Sequence, residues 1–140
     1  FAGAATGVWT FRTNHCIDGR PWNYRRLAEC VRELRLIQEC YAGDFYPLTE
    51  WSVSEKEWIA WQFDYPEKDK GLVQIFRRED SPFVSAEFAL SGLDKDASYR
   101  LYDLDDGDMG TFTGKELMKG RLYTVAEKPA AKIIIYAKVK

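Results

Sequence analysis

Apolar and polar residues alternate through 58–78. Ile59, Trp61, Phe63 and Tyr65 recur at every second position, and Leu72 and Phe76 do so on the return leg beyond the polar stretch 66–71. That period predicts two antiparallel strands joined by a turn that contains Gly71. A hairpin this aromatic is marginal alone in water, so further strands must cover it. Upstream the period is helical. Across 22–38, Tyr24, Leu27, Val31 and Leu34 form a stripe that Cys30 and Ile37 widen, and charged residues fill the opposite face. Pro21 suits the first turn of that helix and Gly43 its stop.

Beyond Gly43 the alternation persists. Short strands are expected at 44–48, 85–90, 98–104, 109–113, 122–126 and 131–139, the last with Ile133, Ile135, Ala137 and Val139 on one face. The run Asp105-Asp106-Gly107-Asp108 predicts a hairpin turn. Capping-box spacings at Ser52/Glu55 and Ser54/Glu57 predict one helical turn before Trp58, and 114–120 reads as a connector with one helical turn. About eight strands with turns every ~8–12 residues is the pattern of an antiparallel β-sandwich. The fold class expected is mainly β, preceded by one helix and by a short strand ending at Arg12, with 14–21 as a loop.

Composition narrows the function. Aromatic residues make up 15% of the 140 residues, which suits a sheet protein or a carbohydrate-handling surface. A net charge of −2 without a basic run gives no reason to expect nucleic acid, and the apolar runs are too short to span a bilayer. Cys30 and Cys40 on one helix would lie ~15 Å apart, beyond a disulfide's reach, so buried free thiols are expected. One His and three scattered Cys offer no zinc spacing, and no cofactor is expected. The opening Phe-Ala-Gly-Ala-Ala does not resemble a signal peptide; a piece of a longer protein is expected, with a processed mature chain as the alternative.

Several segments carry a resemblance when taken in order. They are Gly43-Asp44-Phe45-Tyr46-Pro47-Leu48-Thr49, Trp58 through Pro66, Gly71-Leu72-Val73 with Phe76-Arg77-Arg78, Leu90-Ser91-Gly92-Leu93-Asp94, and Gly114-Lys115-Glu116-Leu117-Met118. This order resembles the C-terminal region of melibiase-type α-galactosidases, glycoside hydrolase family 36. The resemblance implies that 1–42 is the last strand and helix of a (β/α)8 barrel and that 43–140 is the sandwich behind it. The family's catalytic aspartates lie on earlier barrel strands, one in a Lys-Trp-Asp segment that this sequence lacks, so no catalytic residue carries over.

A retaining glycosidase needs two carboxyls ~5 Å apart, one with a raised pKa. Asp44 and Asp64, beside aromatics, are the best-looking pair, although Asp44 also suits a helix-to-strand junction. Asp103 to Asp108 fails the calcium-loop pattern, because Gly107 is fifth and Gly114 twelfth in it. Trp51 and Trp58 are the candidates for a sugar-stacking platform, against the reading that such rings are core. His15 reads as structural. Arg77-Arg78-Glu79-Asp80 reads as a solvated strand end with local ion pairs.

The function expected is therefore a non-catalytic sandwich that supports the barrel of a glycosidase, with a carbohydrate-binding module as the alternative. The helix stripe needs a partner, supplied by the sandwich or by a second copy in a homodimer.

Overall fold

The computed structural model describes residues 16–17, 20–21 and 23–139; the strand expected to end at Arg12, and His15, lie outside them. Within the predicted loop, β1 (Cys16–Ile17) pairs antiparallel with β2 (Arg20–Pro21). Helix α1 spans Tyr24–Ile37, and the Asn23 side chain accepts the Arg26 amide at its start. A 3-10 segment, Gln38–Ala42, continues it. Gly43 ends this run without a left-handed turn: its φ is −84° and its backbone is extended. The residue must be small instead, because a Cβ there would lie 2.0 Å from the Asp64 carbonyl oxygen.

Eight strands follow: β3 (Asp44–Pro47), β4 (Ile59–Tyr65), β5 (Lys70–Arg77), β6 (Ser85–Phe88), β7 (Ser98–Asp103), β8 (Gly107–Thr113), β9 (Arg121–Thr124) and β10 (Ala130–Lys138). Six form one antiparallel sheet in the order β3-β4-β5-β10-β7-β8, and β6 pairs with β9. The protein is mainly β, as its alternating sequence predicts.

Elements pack on both faces of the large sheet, so it is the middle of three layers. One face carries Ala60, Val73, Ile75, Tyr99, Leu101, Ile134 and Tyr136 against Phe88 of β6, Leu117 of helix α2 (Gly114–Lys119), Tyr123 of β9 and Val125 just beyond it. The other carries Phe63, Leu72 and Ile133 against Ile37 and Cys40 from the end of α1 and the 3-10 segment. Cys30 and Cys40 are buried free thiols.

The capping box that forms is Thr113/Glu116, at the start of α2. Neither predicted box near Ser52 starts a helix, although one hydrogen-bonded turn forms before Trp58, the Glu57 amide donating to the Ser54 carbonyl at 3.3 Å. Arg78 holds the Ser52 and Val53 carbonyls at 3.0 and 3.2 Å, so these two accept from a distant side chain and not from a following helical turn. The 66–71 turn also differs from expectation. A 3-10 segment, Pro66–Lys68, is closed by Asp69 at φ 52°, and Gly71 lies inside β5.

Candidate functional site

The polar groups on the inner face of β4 meet three distant parts of the chain. Asp64, 5% exposed, pairs across β5 with Gly71, and Gly71 pairs in turn with Tyr136 on β10. Gly71 has no side chain, so the Tyr136 ring lies over it and its hydroxyl donates to Asp64 Oδ1 at 2.6 Å. Gln62 Nε2 donates to the same hydroxyl and to the Ser91 carbonyl, both at 2.8 Å, and the Ser91 amide donates back to Gln62 Oε1 at 2.8 Å. The Ser91–Gly92 turn closes over the group. A Cβ on Gly92 (φ +75°) would lie 3.1 Å from Asp64 Oδ2 and 3.0 Å from the Tyr46 hydroxyl.

Asp44 sits directly opposite Asp64 in the β3–β4 register, so sequence reasoning did find two neighbouring carboxylates. Their environments are unequal. Asp44 is exposed, while Asp64 is sealed beneath the turn and held by Tyr136. A pair that hydrolyses a glycoside must both reach the scissile bond, and Asp64 does not meet that requirement.

Burial pushes the Asp64 carboxyl above the ordinary aspartate value of 3.8. The hydrogen bond from Tyr136 pulls it down, and the charges of Asp44 and Glu67 add to the rise. Burial likewise raises the Tyr136 hydroxyl, and Asp64 adds to that rise. The folded chain thus holds the Asp64 proton more tightly than the unfolded chain does. Its contribution to stability is complete below the unfolded pKa and is lost as pH rises through the higher folded one. Asp64→Asn keeps an oxygen for the Tyr136 hydroxyl and removes the ionisation. The thermal midpoint of Asp64→Asn relative to wild type is therefore expected to move in the variant's favour as pH rises from about 4 to 8. Parallel profiles for the two proteins would refute a perturbed Asp64.

The two tryptophans named from sequence separate. Trp51 is 88% exposed. Trp58 is 8% exposed and packs on Phe88 at 6.3 Å between ring centroids, so the expected two-ring platform does not form. Trp58 does fall outside the Ile59/Trp61/Phe63 face, but the opposite face is core as well. The Trp51 loop is pinned from below: besides its two carbonyl contacts, Arg78 reaches the Glu55 carboxylate at 2.6 and 3.2 Å. Beside it, Glu55, Phe76, Arg78 and Glu79 help to line a cleft of about 380 Å³.

The reading of 77–80 as a solvated strand end holds for Glu79 and Asp80 only. Arg77 is 5% exposed and points inward, donating to the carbonyls of Val125 at 2.9 Å and Ala126 at 2.6 Å. Arg78 pairs with Glu55, far away in sequence, rather than with its acidic neighbours. Lys132 bridges Asp103 (2.6 Å) and Asp106, and Asp103 also accepts the amides of Asp105 and Asp106, so the acidic 103–108 run is a hairpin turn tied down by a lysine. Among the described residues, no group of three or more His, Cys, Asp or Glu side chains could hold a metal ion, and no helix is long and apolar enough to cross a membrane.

The model of the glycosyl hydrolase family 36 C-terminal domain matches residues 58–128, just over half of the chain. The chain belongs to that family. Solved structures share its fold. The family 36 α-galactosidase AgaA from Geobacillus stearothermophilus superposes with a TM-score of 0.68 at 22% identity, covering 88% of this chain and 17% of that one. AgaB from the same organism gives 0.64 at 21%, over 88% and 17%. The α-galactosidase from Lactobacillus brevis gives 0.58 at 17%, over 82% and 17%. No curated protein sequence matches. This family 36 domain thus spans about a sixth of the length of the solved proteins it is similar to.

Sequence reasoning missed Gln62, Ser91, Tyr136 and Arg77 as members of polar networks. One signal was present: Gln62 and Asp64 alternate with aromatics in a strand that is too apolar to leave its other face in water.

Proposed function

We propose that this chain is the non-catalytic C-terminal β-sandwich of a longer glycoside hydrolase related to the α-galactosidases. In this reading 1–42 closes a (β/α)8 barrel and 43–140 braces it. The observation that carries it is the core shared by helix and sheet. Ile37 and Cys40 are 1% and 2% exposed because Phe63, Leu72 and Ile133 cover them. A helix held this way cannot leave the sheet without exposing both. The domain therefore fixes the position of that helix, and with it whatever else the helix packs against. The test compares hydrolysis of α-galactosides by this chain and by the full product of its gene. Turnover by the full product and none by the chain is expected. Turnover by the chain alone, or a gene product that lacks a barrel, would sink the reading.

A second reading, carbohydrate binding, is favoured by one observation: an 88% exposed Trp51 on a loop that Arg78 holds in place. An aromatic face presented without an ordering cost suits a pyranose ring. Titration with galactose and with galacto-oligosaccharides, followed by tryptophan fluorescence, separates the two. The supporting role expects no saturable change. A millimolar or tighter response that Trp51→Ala abolishes would promote the sugar-binding reading.

A further inference from the structure

Among the described residues, the sheet face that receives α1 is only half covered. Burial along it falls steadily from one edge of the helix footprint outward. On β5, Leu72 and Gln74 are fully buried; on β10, Ile133 is buried, Ile135 half-buried and Ala137 exposed; on β7, Arg100 and Tyr102 are exposed. These positions share one face, because Ile135 pairs with both Leu72 and Tyr102, and Ala137 pairs with Arg100. The opposite face of the same β7 strand is closed, with Tyr99, Leu101 and Asp103 at 6%, 0% and 1%. The asymmetry therefore belongs to the layer above the sheet and not to the strand.

Dimensions set what would complete that layer. Six strands at ~4.8 Å spacing make a face about 24 Å wide, and one helix with its side chains covers about 10 Å of it. The segment that ends α1 lies over β4, β5 and the Ile133 end of β10, which leaves the Ala137 end of β10 together with β7 and β8 open. That is the width of one more helix at the ordinary 8–10 Å interaxial spacing. A cleft of about 340 Å³ already marks the seam, with Leu36 and Cys40 as its wall and Tyr102, Ile135 and Ala137 as its floor. Leu36 is 62% exposed and leans over this cleft from α1. At the far rim, Arg100 is paired with Asp108, so no unpaired charge would be buried there.

We propose that the open half of this face receives a second amphipathic helix, laid beside α1 and contributed by the barrel portion of the same longer polypeptide. The proposal rests on the supporting role above and names the surface through which it acts. Two observations choose this occupant over a second copy of the chain. The slot continues an interface that a helix of this chain already makes, and the solved proteins that share the fold are about six times as long as the matched region.

Hydroxyl-radical footprinting read by mass spectrometry tests it on the 140-residue chain and on the full gene product. Oxidation of Leu36 and Tyr102 is expected to fall several-fold in the longer protein. Ala137→Glu gives a second readout: it is expected to leave the thermal midpoint of the 140-residue chain unchanged and to lower that of the full product by several degrees. Equal oxidation of Leu36 and Tyr102 in both proteins, with protection elsewhere on the domain, overturns the helix slot and leaves the supporting role standing. A gene product without a barrel overturns both. Protection that grows with concentration in the 140-residue chain, together with a dimer in sedimentation, gives the slot to a second copy and also overturns the proposal.

Discussion

Gly71→Ala is expected to cost about 3 kcal/mol of stability, the upper end of what overpacking by a single methyl group does. The position looks harmless in sequence, a glycine just after a polar turn, yet it lies between Asp64 and Tyr136 in three consecutive strands. A Cβ there would fall 2.1 Å from both Cζ and the hydroxyl oxygen of Tyr136 and 2.6 Å from the Phe63 carbonyl oxygen. Backbone does not yield cheaply, and neither does this ring. To make room, Tyr136 must leave Asp64 and Gln62, which strands a buried carboxylate without its donor. Urea denaturation measures the loss. Because the clash and the network share Tyr136, Gly71→Ala should cost clearly less in a Tyr136→Leu background than in wild type. Additive costs, or a loss below about 1 kcal/mol for Gly71→Ala, would mean that the ring relaxes freely.

Gly71 also shows what the sequence makes legible and what it does not. Strand positions, the helix and the single acidic hairpin follow from local period and turn chemistry, and the structure has them within a few residues. Which face of a strand is deepest does not follow. In β10 the alternation points to Ile133, Ile135 and Ala137, but Ile134 and Tyr136 are the more buried set. A central strand between two layers is apolar on both sides, so alternation cannot rank them. Trp58 illustrates the same ambiguity. The polar network was less legible still. Tyr136 and Asp64 are 72 residues apart, and the contact depends on a register that places Gly71 between them. Capping boxes show the limit of a local signal. Thr113/Glu116 starts a helix because each side chain accepts the other residue's amide, whereas the Ser52 and Ser54 hydroxyls accept amides only two residues on and Arg78 takes the Ser52 and Val53 carbonyls.

Arg77 and Arg78 are adjacent, and strand geometry sends them to opposite faces. Arg78 fastens the Trp51 loop, and Arg77 fastens the two sheets to each other. From the end of β5 its guanidinium donates to the carbonyls of Val125 and Ala126, just past β9, and at 3.3 Å to that of the fully buried Ser81. Few other polar contacts tie the β6–β9 layer to the large sheet at this end; Lys128 reaches the same Ser81 carbonyl at 3.4 Å. Arg77→Leu preserves apolar volume and removes every donor, leaving the buried carbonyls of Val125 and Ser81 without this partner, while that of Ala126 lies nearer the surface. A loss of about 3 kcal/mol is expected, since each orphaned buried acceptor costs about 1–3 kcal/mol. Arg77→Lys can serve one carbonyl but not the forked set, so it should recover only part of the loss. If Arg77→Leu melts within a degree of wild type, water must reach those carbonyls, and the two layers are held together by Phe88, Tyr123 and Leu117 alone.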